Sequence, residues 1–464
     1  MNIDSVLEFL NSCNTYIWDV TIFLLIGCAL YFTCRTRFVQ LRIPGGIVRV
    51  FASREGRDKE TSIGAFQAFA TSLAGRVGTG NIAGVASAIF VGGPGSVFWM
   101  WVMAFFGAAT AFAESTLAQL YKRRGKDSFY GGPSYYMRHG IKVKWMGVLF
   151  SVLMLFTMGT ANQLVQSNTV SVSIGEFLGV EPIWVGLALM AVTLCVIFGG
   201  VQRIARFSSV IVPVMAVGYI SISLAVIIVN FDKVPDVFSL IIDNAFGIRQ
   251  AAGGAIGMAI SQGIRRGLFS NEAGEGTTPN SAATADISHP VKQGILQSLG
   301  VFVDTLVICS CTAFIVLLSG KYNSGLDGIS LTKSAMDTLV GSWGNDFLTL
   351  AVLFFAFSTI IANYLYSEIN IKFLTQNKKP VVLMKVATGV FIIAGSLLNL
   401  QDIWIIVDFF QGSMTILSLI ALVWLSPKVV FLIHDYMAKL KRGEDPEFHR
   451  SEMPDIEKDL DAWE

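Results

Sequence analysis

Charged residues are scarce in this sequence. Asp, Glu, Lys and Arg make up 14% of its 464 residues, while 53% are hydrophobic. A soluble domain carries about 25% charged residues. The 34 basic and 33 acidic side chains are therefore too few to cover the two or three cores that a soluble chain of this length would build. Cysteine is thin as well: six, scattered, which excludes a secreted disulfide scaffold. The four histidines (His139, His289, His434 and His449) all fall in connections or in the tail, so no metal site or histidine relay is on offer inside a membrane. There is no Walker-type phosphate loop, which excludes ATP drive. A net charge of +1 argues against a nucleic-acid partner. Disorder fails on hydrophobicity. With a mean hydropathy of +0.60, the class that remains is an all-α polytopic membrane protein.

A bilayer-crossing helix needs roughly 20 apolar residues, and about eleven such stretches can be read. The first, 17–34, has no basic region before it and no small-residue cleavage site after it, so it reads as a retained span. The next lie near 66–90, 95–120, 145–178, 183–200 and 208–230. A long Gly-rich stretch covers 250–286, and four more spans follow near 292–319, 347–370, 381–400 and 402–426. The segment 427–464 reads as a polar, charged tail without a domain of its own. Of the 34 basic residues, 27 fall in alternate connections and the tail. By the positive-inside rule this predicts an outside N-terminus and a cytoplasmic C-terminus in the plasma membrane, which an odd number of spans satisfies.

Two spans cannot be plain helices. Gly75-Arg-Val-Gly78-Thr-Gly80-Asn81 puts three glycines in six residues beside an Arg and an Asn. Each interior Gly costs a helix roughly 1 kcal/mol relative to Ala. Close helix packing explains glycines at four-residue spacing but not Gly-Thr-Gly-Asn in succession. Non-helical backbone at membrane depth is tolerated where it lines a cavity or is buried in protein, and it frees N–H groups for an anion and carbonyls for a cation. The second anomalous stretch runs from Gly253 to Gly276 and starts five spans later, so it enters from the opposite side. That predicts inverted halves of 66–230 and 250–426, with 17–34 outside the repeat, all in a single domain over 1–464. The expected intramembrane charges are Arg76, Glu114, Arg265, Arg266, Glu272, Asp304, Glu368 and Asp408, and mutual pairing accounts for most of them. Cys309 and Cys311 read as packing residues.

The segment Ala74-Gly-Arg-Val-Gly-Thr-Gly-Asn-Ile-Ala-Gly-Val85 resembles the first-broken-helix signature of the alanine or glycine:cation symporters. Gly92-Gly-Pro-Gly95 with Phe98-Trp-Met-Trp101, Val165-Gln-Ser-Asn168, Arg266 to Gly274, and Phe357-Ser-Thr-Ile-Ile361 match that family too. The resemblance covers about 17–430. It implies sodium-coupled uptake of a small neutral amino acid on a LeuT-like 5+5 inverted repeat, with one extra N-terminal helix and no cofactor besides the coupling Na⁺. It assigns the substrate carboxylate to backbone N–H groups around Thr79, Gly80 and Asn81, a hydrogen bond to Gln166, and an apolar wall to Phe269. It gives Na⁺ the carbonyls of Ala74 and Val77 and the hydroxyls of Ser358 and Thr359. The competing reading of those hydroxyls is back-bonding to their own helix.

One departure from the family pattern bears on substrate. Members that handle alanine or glycine show Gly-Trp where this chain has Ala362-Asn363. Asn363 is four residues after Thr359 and shares its helix face. A smaller side chain with an amide donor and acceptor suits a longer, amide-bearing substrate, so glutamine is expected ahead of alanine. The competing role for Asn363 is a bond to a neighbouring helix. Proton coupling through Asp304 or Glu272 is the alternative mechanism. An intramembrane enzyme would need a nucleophile–base or metal set, and a channel a repeated filter-like segment; neither is present.

Overall fold

The computed structural model describes residues 3–42, 50, 63–125, 128–247 and 253–464. The expected first span is longer than its apolar core: α1 runs Ile3–Arg35. The next span is divided into α2 (Ala65–Arg76), a single 3₁₀ turn (Thr79–Asn81) and α3 (Ala83–Gly92). α4 follows (Ser96–Leu120), then a two-stranded ribbon of β1 (Arg123–Arg124) and β2 (Phe129–Tyr130), and α5 (Pro133–His139). α6 (Lys144–Phe156) and α7 (Asn162–Leu178) join through a π-helical turn at Thr157–Ala161. α8 (Pro182–Ile197), α9 (Gly200–Val229) and α10 (Val234–Ala245) follow.

α11 (Gly253–Asn271) and the short α12 (Thr278–Ala282) flank the second interruption. Beyond it, α13 (Pro290–Val301) and α14 (Ser310–Leu318) are joined by a π-helical stretch, Phe302–Cys309. α15 (Gly328–Val340), α16 (Ser342–Leu374), α17 (Lys378–Leu397), α18 (Leu400–Trp424) and α19 (Ser426–Lys441) end the helical order. Eight of these helices, or joined pairs, are long and apolar enough to cross a membrane among the described residues. The other three expected spans are the two broken ones and α8, which has 16 residues.

The second break falls later than the glycines suggest. Gly253 to Gly267 all lie within α11, and helix geometry fails only at Glu272 (φ 55), Gly274 (φ 92) and Gly276 (φ 90). The upstream glycines serve packing: a Cβ on Gly263 would sit 2.5 Å from the Ser96 carbonyl oxygen, and Gly267 lies against Met100, so α11 rides close on α4. The first break does fall in the Gly78 region, at Val77 and Gly78. The two interruptions are tied together at their bases, where Ile63 bridges Ala285 and accepts a hydrogen bond from the Asp286 N–H at 2.9 Å. α1 packs against α18 and α4, with the Trp18 indole donating to the Asp408 carbonyl at 3.0 Å.

The polar, charged tail is more buried than its composition alone suggests. Phe448, Met453, Ile456, Leu460 and Trp463 are buried, spaced so that one polar segment turns several apolar side chains inward. The Trp463 indole donates to the carbonyls of Gln119 (3.2 Å) and Leu120 (3.1 Å), and the Lys122 ammonium stands over its ring. The Phe448 N–H donates to Ser288 at 2.8 Å, and Lys439 joins Asp435 to Glu452. Burial alone would raise the Asp435 carboxyl, but hydrogen bonds from His289 and Lys439 outweigh it and hold it below its usual range. Trp463→Ala is expected to cost about 3 kcal/mol of docking, a roughly hundredfold rise in the undocked population. Limited trypsin digestion at Arg442 and Arg450 reads this directly. Equal cleavage rates for variant and wild type would show that other contacts hold the tail.

Candidate functional site

The interruption of α2–α3 places an unusual number of oxygens around one hydroxyl. At Thr359, on α16, Oγ1 lies 2.8 Å from the Ala74 carbonyl, 3.4 Å from that of Val77 and 3.0 Å from that of Phe355. One hydroxyl carries one proton, so three carbonyls compete for a single donor. Gly78 makes this approach possible, because a Cβ there would collide with Thr359 Oγ1 and lie 3.2 Å from Gln166 Oε1. Ser358 does not join the group: its hydroxyl donates back to Phe355 of its own helix at 2.9 Å and lies 3.9 Å from the Met215 sulfur.

Just beyond the carbonyls, the Thr79 N–H donates to Gln166 Oε1 at 3.1 Å. Gln166 comes from the second turn of α7, so the helix break and this amide already form one polar surface. The Thr79 hydroxyl is buried and has no partner. Gly80 faces Phe269, whose ring carbon Cδ1 would lie 2.9 Å from a Cβ at that position. Phe269 in turn meets Trp404 edge to face, ring centroids 4.7 Å apart. Backbone carbonyls, an N–H, an amide and an aromatic ring thus converge from α2, the 3₁₀ turn, α7, α11 and α16.

The Asn81 side chain braces the turn from within. Its Oδ1 accepts the Gly78 N–H at 2.9 Å, and its Nδ2 donates to Asp304 Oδ1 at 2.6 Å, so its side chain shapes the turn. Asp304 Oδ2 accepts from the hydroxyls of Ser270 and Thr305, both at 2.8 Å. Cys309 is here too, its sulfur 3.3 Å from Asn81 Nδ2 and 3.2 Å from Ser270 Oγ, and not merely packed among apolar chains. Asn363 is fully buried, and neither atom of its amide has a hydrogen-bond partner.

The second break is held by Arg76 and Glu114, which sequence patterns flagged only as intramembrane charges, with Glu272 and with Glu275, which they did not flag. Arg76 donates to the Asn271 carbonyl (2.8 Å), to the Gln297 carbonyl and side chain (both 3.0 Å) and to the Thr278 hydroxyl (3.0 Å). Glu114 accepts the N–H groups of Gly274 at 3.2 Å and Gly276 at 3.1 Å, so its carboxyl group caps a backbone that no helix satisfies. Glu272 accepts from Thr277 at 2.9 Å, and Glu275 accepts from Gln411. Mutual pairing does hold elsewhere: Arg265 and Arg266 share Asp408, and Glu368 pairs with Lys372 at 2.6 Å. The Gly274-x-Gly276 spacing near Glu272 is the one sequence trace that marks the true break.

Comparisons agree with this architecture. The sodium:alanine symporter family matches over residues 3–450. The chain is 47% identical to the probable sodium/glutamine symporter GlnT of Bacillus subtilis (strain 168), over 94% of this chain and 92% of that one. It is 42% identical to the amino-acid carrier protein AlsT of the same organism, over 98% and 97%. A sodium/proton-dependent alanine carrier protein of Bacillus sp. (strain PS3) is 36% identical, over 85% and 93%. Among solved structures, a manganese transporter mutant of Eremococcus coleocola superposes with a TM-score of 0.50 at 12% identity, covering 85% of each chain, a likeness of fold alone.

Proposed function

The chain belongs to the sodium:alanine symporter family, and on that premise we propose that it imports a small neutral amino acid with Na⁺, glutamine ahead of alanine or glycine. It is a multi-pass membrane transporter and not an enzyme. The observation that carries the ion site is the crowding of the Ala74, Val77 and Phe355 carbonyls on the single Thr359 proton. Such a surplus of hard oxygen donors suits a small cation, which would take the Ala74 and Val77 carbonyls and the Thr359 hydroxyl. Rotation of Ser358 away from Phe355 would supply a further donor. The substrate carboxylate would replace Gln166 Oε1 at the Thr79 N–H, with Gly80 and the Asn81 backbone beside it and Phe269 as the wall.

Substrate preference rests on Asn363. A buried amide without partners is costly unless a ligand satisfies it, and a glutamine side chain presents the complementary donor and acceptor. The halves 66–230 and 250–426 would act as inverted repeats, rocking against one another around the two breaks. The basic residues orient the N-terminus outside and the tail in the cytoplasm. Proton coupling through Glu272 or Asp304 is the competing mechanism, and the name of the strain PS3 relative keeps it in play.

One experiment addresses both. Purified protein in proteoliposomes is expected to accumulate radiolabelled glutamine under an inward Na⁺ gradient and to lose uptake when choline replaces Na⁺ under a proton gradient. Asn363→Trp is expected to shift the glutamine-to-alanine preference roughly ten- to hundredfold toward alanine. Uptake sustained in choline would overturn sodium coupling, and an unchanged preference would remove Asn363 from specificity.

A further inference from the structure

A second polar cluster lies one helical turn before Phe269 on α11. Arg266 Nη2 contacts Asp408 Oδ2 at 2.9 Å, and Arg265 Nη1 contacts the same oxygen at 3.4 Å. Two guanidiniums therefore share one carboxylate, and only one of its oxygens. Asp19 on α1 attracts Arg265 as well but makes no ion pair with it. The Arg266 guanidinium lies 3.9 Å over the Trp404 ring, and that of Arg265 lies 5.0 Å over Trp18.

Three N–H donors in this cluster are buried without a partner, Arg265 Nε, Arg266 Nη1 and Trp404 Nε1, against one unpartnered acceptor, Asp408 Oδ1. The Arg266 side chain is 6% exposed and that of Arg265 is 18% exposed, so Arg265 is the more accessible of the two. The helix break does not need these groups, since none of them bonds to it. Asp408 and Asp19 balance the two guanidiniums in charge, but unused N–H donors inside a membrane suit the oxygens of an anion. Arginine presents the planar fork that matches a carboxylate.

We infer that Arg265, Arg266 and Trp404 form a carboxylate-binding subsite in the outer access path, which takes the arriving amino acid by its carboxylate before it reaches the helix breaks. This rests on the import reading above, with α11 entering from outside. Asp408 holds the two guanidiniums in place and competes with the incoming carboxylate, so occupancy stays transient. Trp404 links the subsite to the candidate wall through its edge-to-face contact with Phe269.

The test compares wild type, Arg265→Gln and Arg265→Lys in proteoliposomes. Arg265→Gln is expected to lower kcat/KM roughly tenfold, through lost electrostatic capture, with saturated kcat unchanged within about twofold. Arg265→Lys should recover part of the loss. Acetate should inhibit wild-type uptake at low substrate and leave Arg265→Gln untouched. Equal kcat/KM in wild type and Arg265→Gln overturns the inference. Inhibition by chloride and not by acetate assigns an inorganic-anion site and overturns the carboxylate reading. Quenching of tryptophan fluorescence by acetate in detergent, lost in Arg265→Gln, reads the subsite without transport. A failure of wild-type uptake beside intact quenching thus counts against the proposed function alone.

Discussion

Gly78→Ala is expected to abolish sodium-driven uptake while leaving the protein folded and monodisperse in detergent. The reason is space and not backbone conformation. Gly78 has φ −133 and ψ −152, an extended conformation that alanine can adopt. Its missing Cβ is what matters: the added carbon would collide with Thr359 Oγ1, lie 3.1 Å from Thr359 Cβ and 3.2 Å from Gln166 Oε1. Those two side chains belong to the proposed ion and substrate sites, so relief on either side would displace a proposed ligating group. Overpacking of this kind costs about 1–3 kcal/mol, which a bundle of this size tolerates. A displacement of about 1 Å at the site costs on the order of a hundredfold in rate. Gly84, six residues on, provides the control: a Cβ there meets nothing within 4 Å. Gly84→Ala should therefore transport at the wild-type rate. Initial uptake rates at saturating Na⁺ measure both, and activity in Gly78→Ala equal to that of Gly84→Ala would remove the close approach from the mechanism.

The glycines of the two interrupted spans show what sequence can and cannot disclose. Gly-Thr-Gly-Asn in succession is incompatible with a continuous helix, so the first break is legible from local cost alone. The second stretch is richer in glycine yet helical through Asn271, because Gly263 and Gly267 serve the approach of α11 to α4, a tertiary fact with no local signature. Thr359 could be singled out by its motif, but its convergence with Ala74 and Val77 spans 285 and 282 residues of sequence. Ser358 differs from its neighbour only in rotation about the helix axis, and there back-bonding to Phe355 prevails. The tail misled for a related reason. Its apolar residues are few and widely spaced, and their burial depends on a surface, Gln119 to Lys122, more than 300 residues earlier.

Arg76→Leu is expected to be the most destabilising single substitution in the molecule, at about 3–5 kcal/mol, the cost of breaking a buried charged network. Arg76 ends α2, yet its four hydrogen bonds all go to the second break and to α13. Asn271 lies before that break and Thr278 after it, so one guanidinium clamps both ends of the interrupted backbone to the first broken helix. Leucine would fill much of the volume but leave two buried carbonyls without their donors, at about 1–3 kcal/mol each. Arg76→Lys keeps the charge and still fails, because a single ammonium cannot reach three directions at once. Its midpoint of thermal unfolding should fall nearly as far as that of the leucine variant. Glu114 grips the same loop from α4 through the N–H groups of Gly274 and Gly276, with no residue in common with the Arg76 contacts. If the six residues between Asn271 and Thr278 act as one rigid element, Glu114→Gln and Arg76→Lys should be non-additive by about 0.5–3 kcal/mol in a double-mutant cycle. Additivity would mean that the loop is held at its two edges independently. The first break would then be free to move without carrying the second, and the two halves would have to be coupled elsewhere.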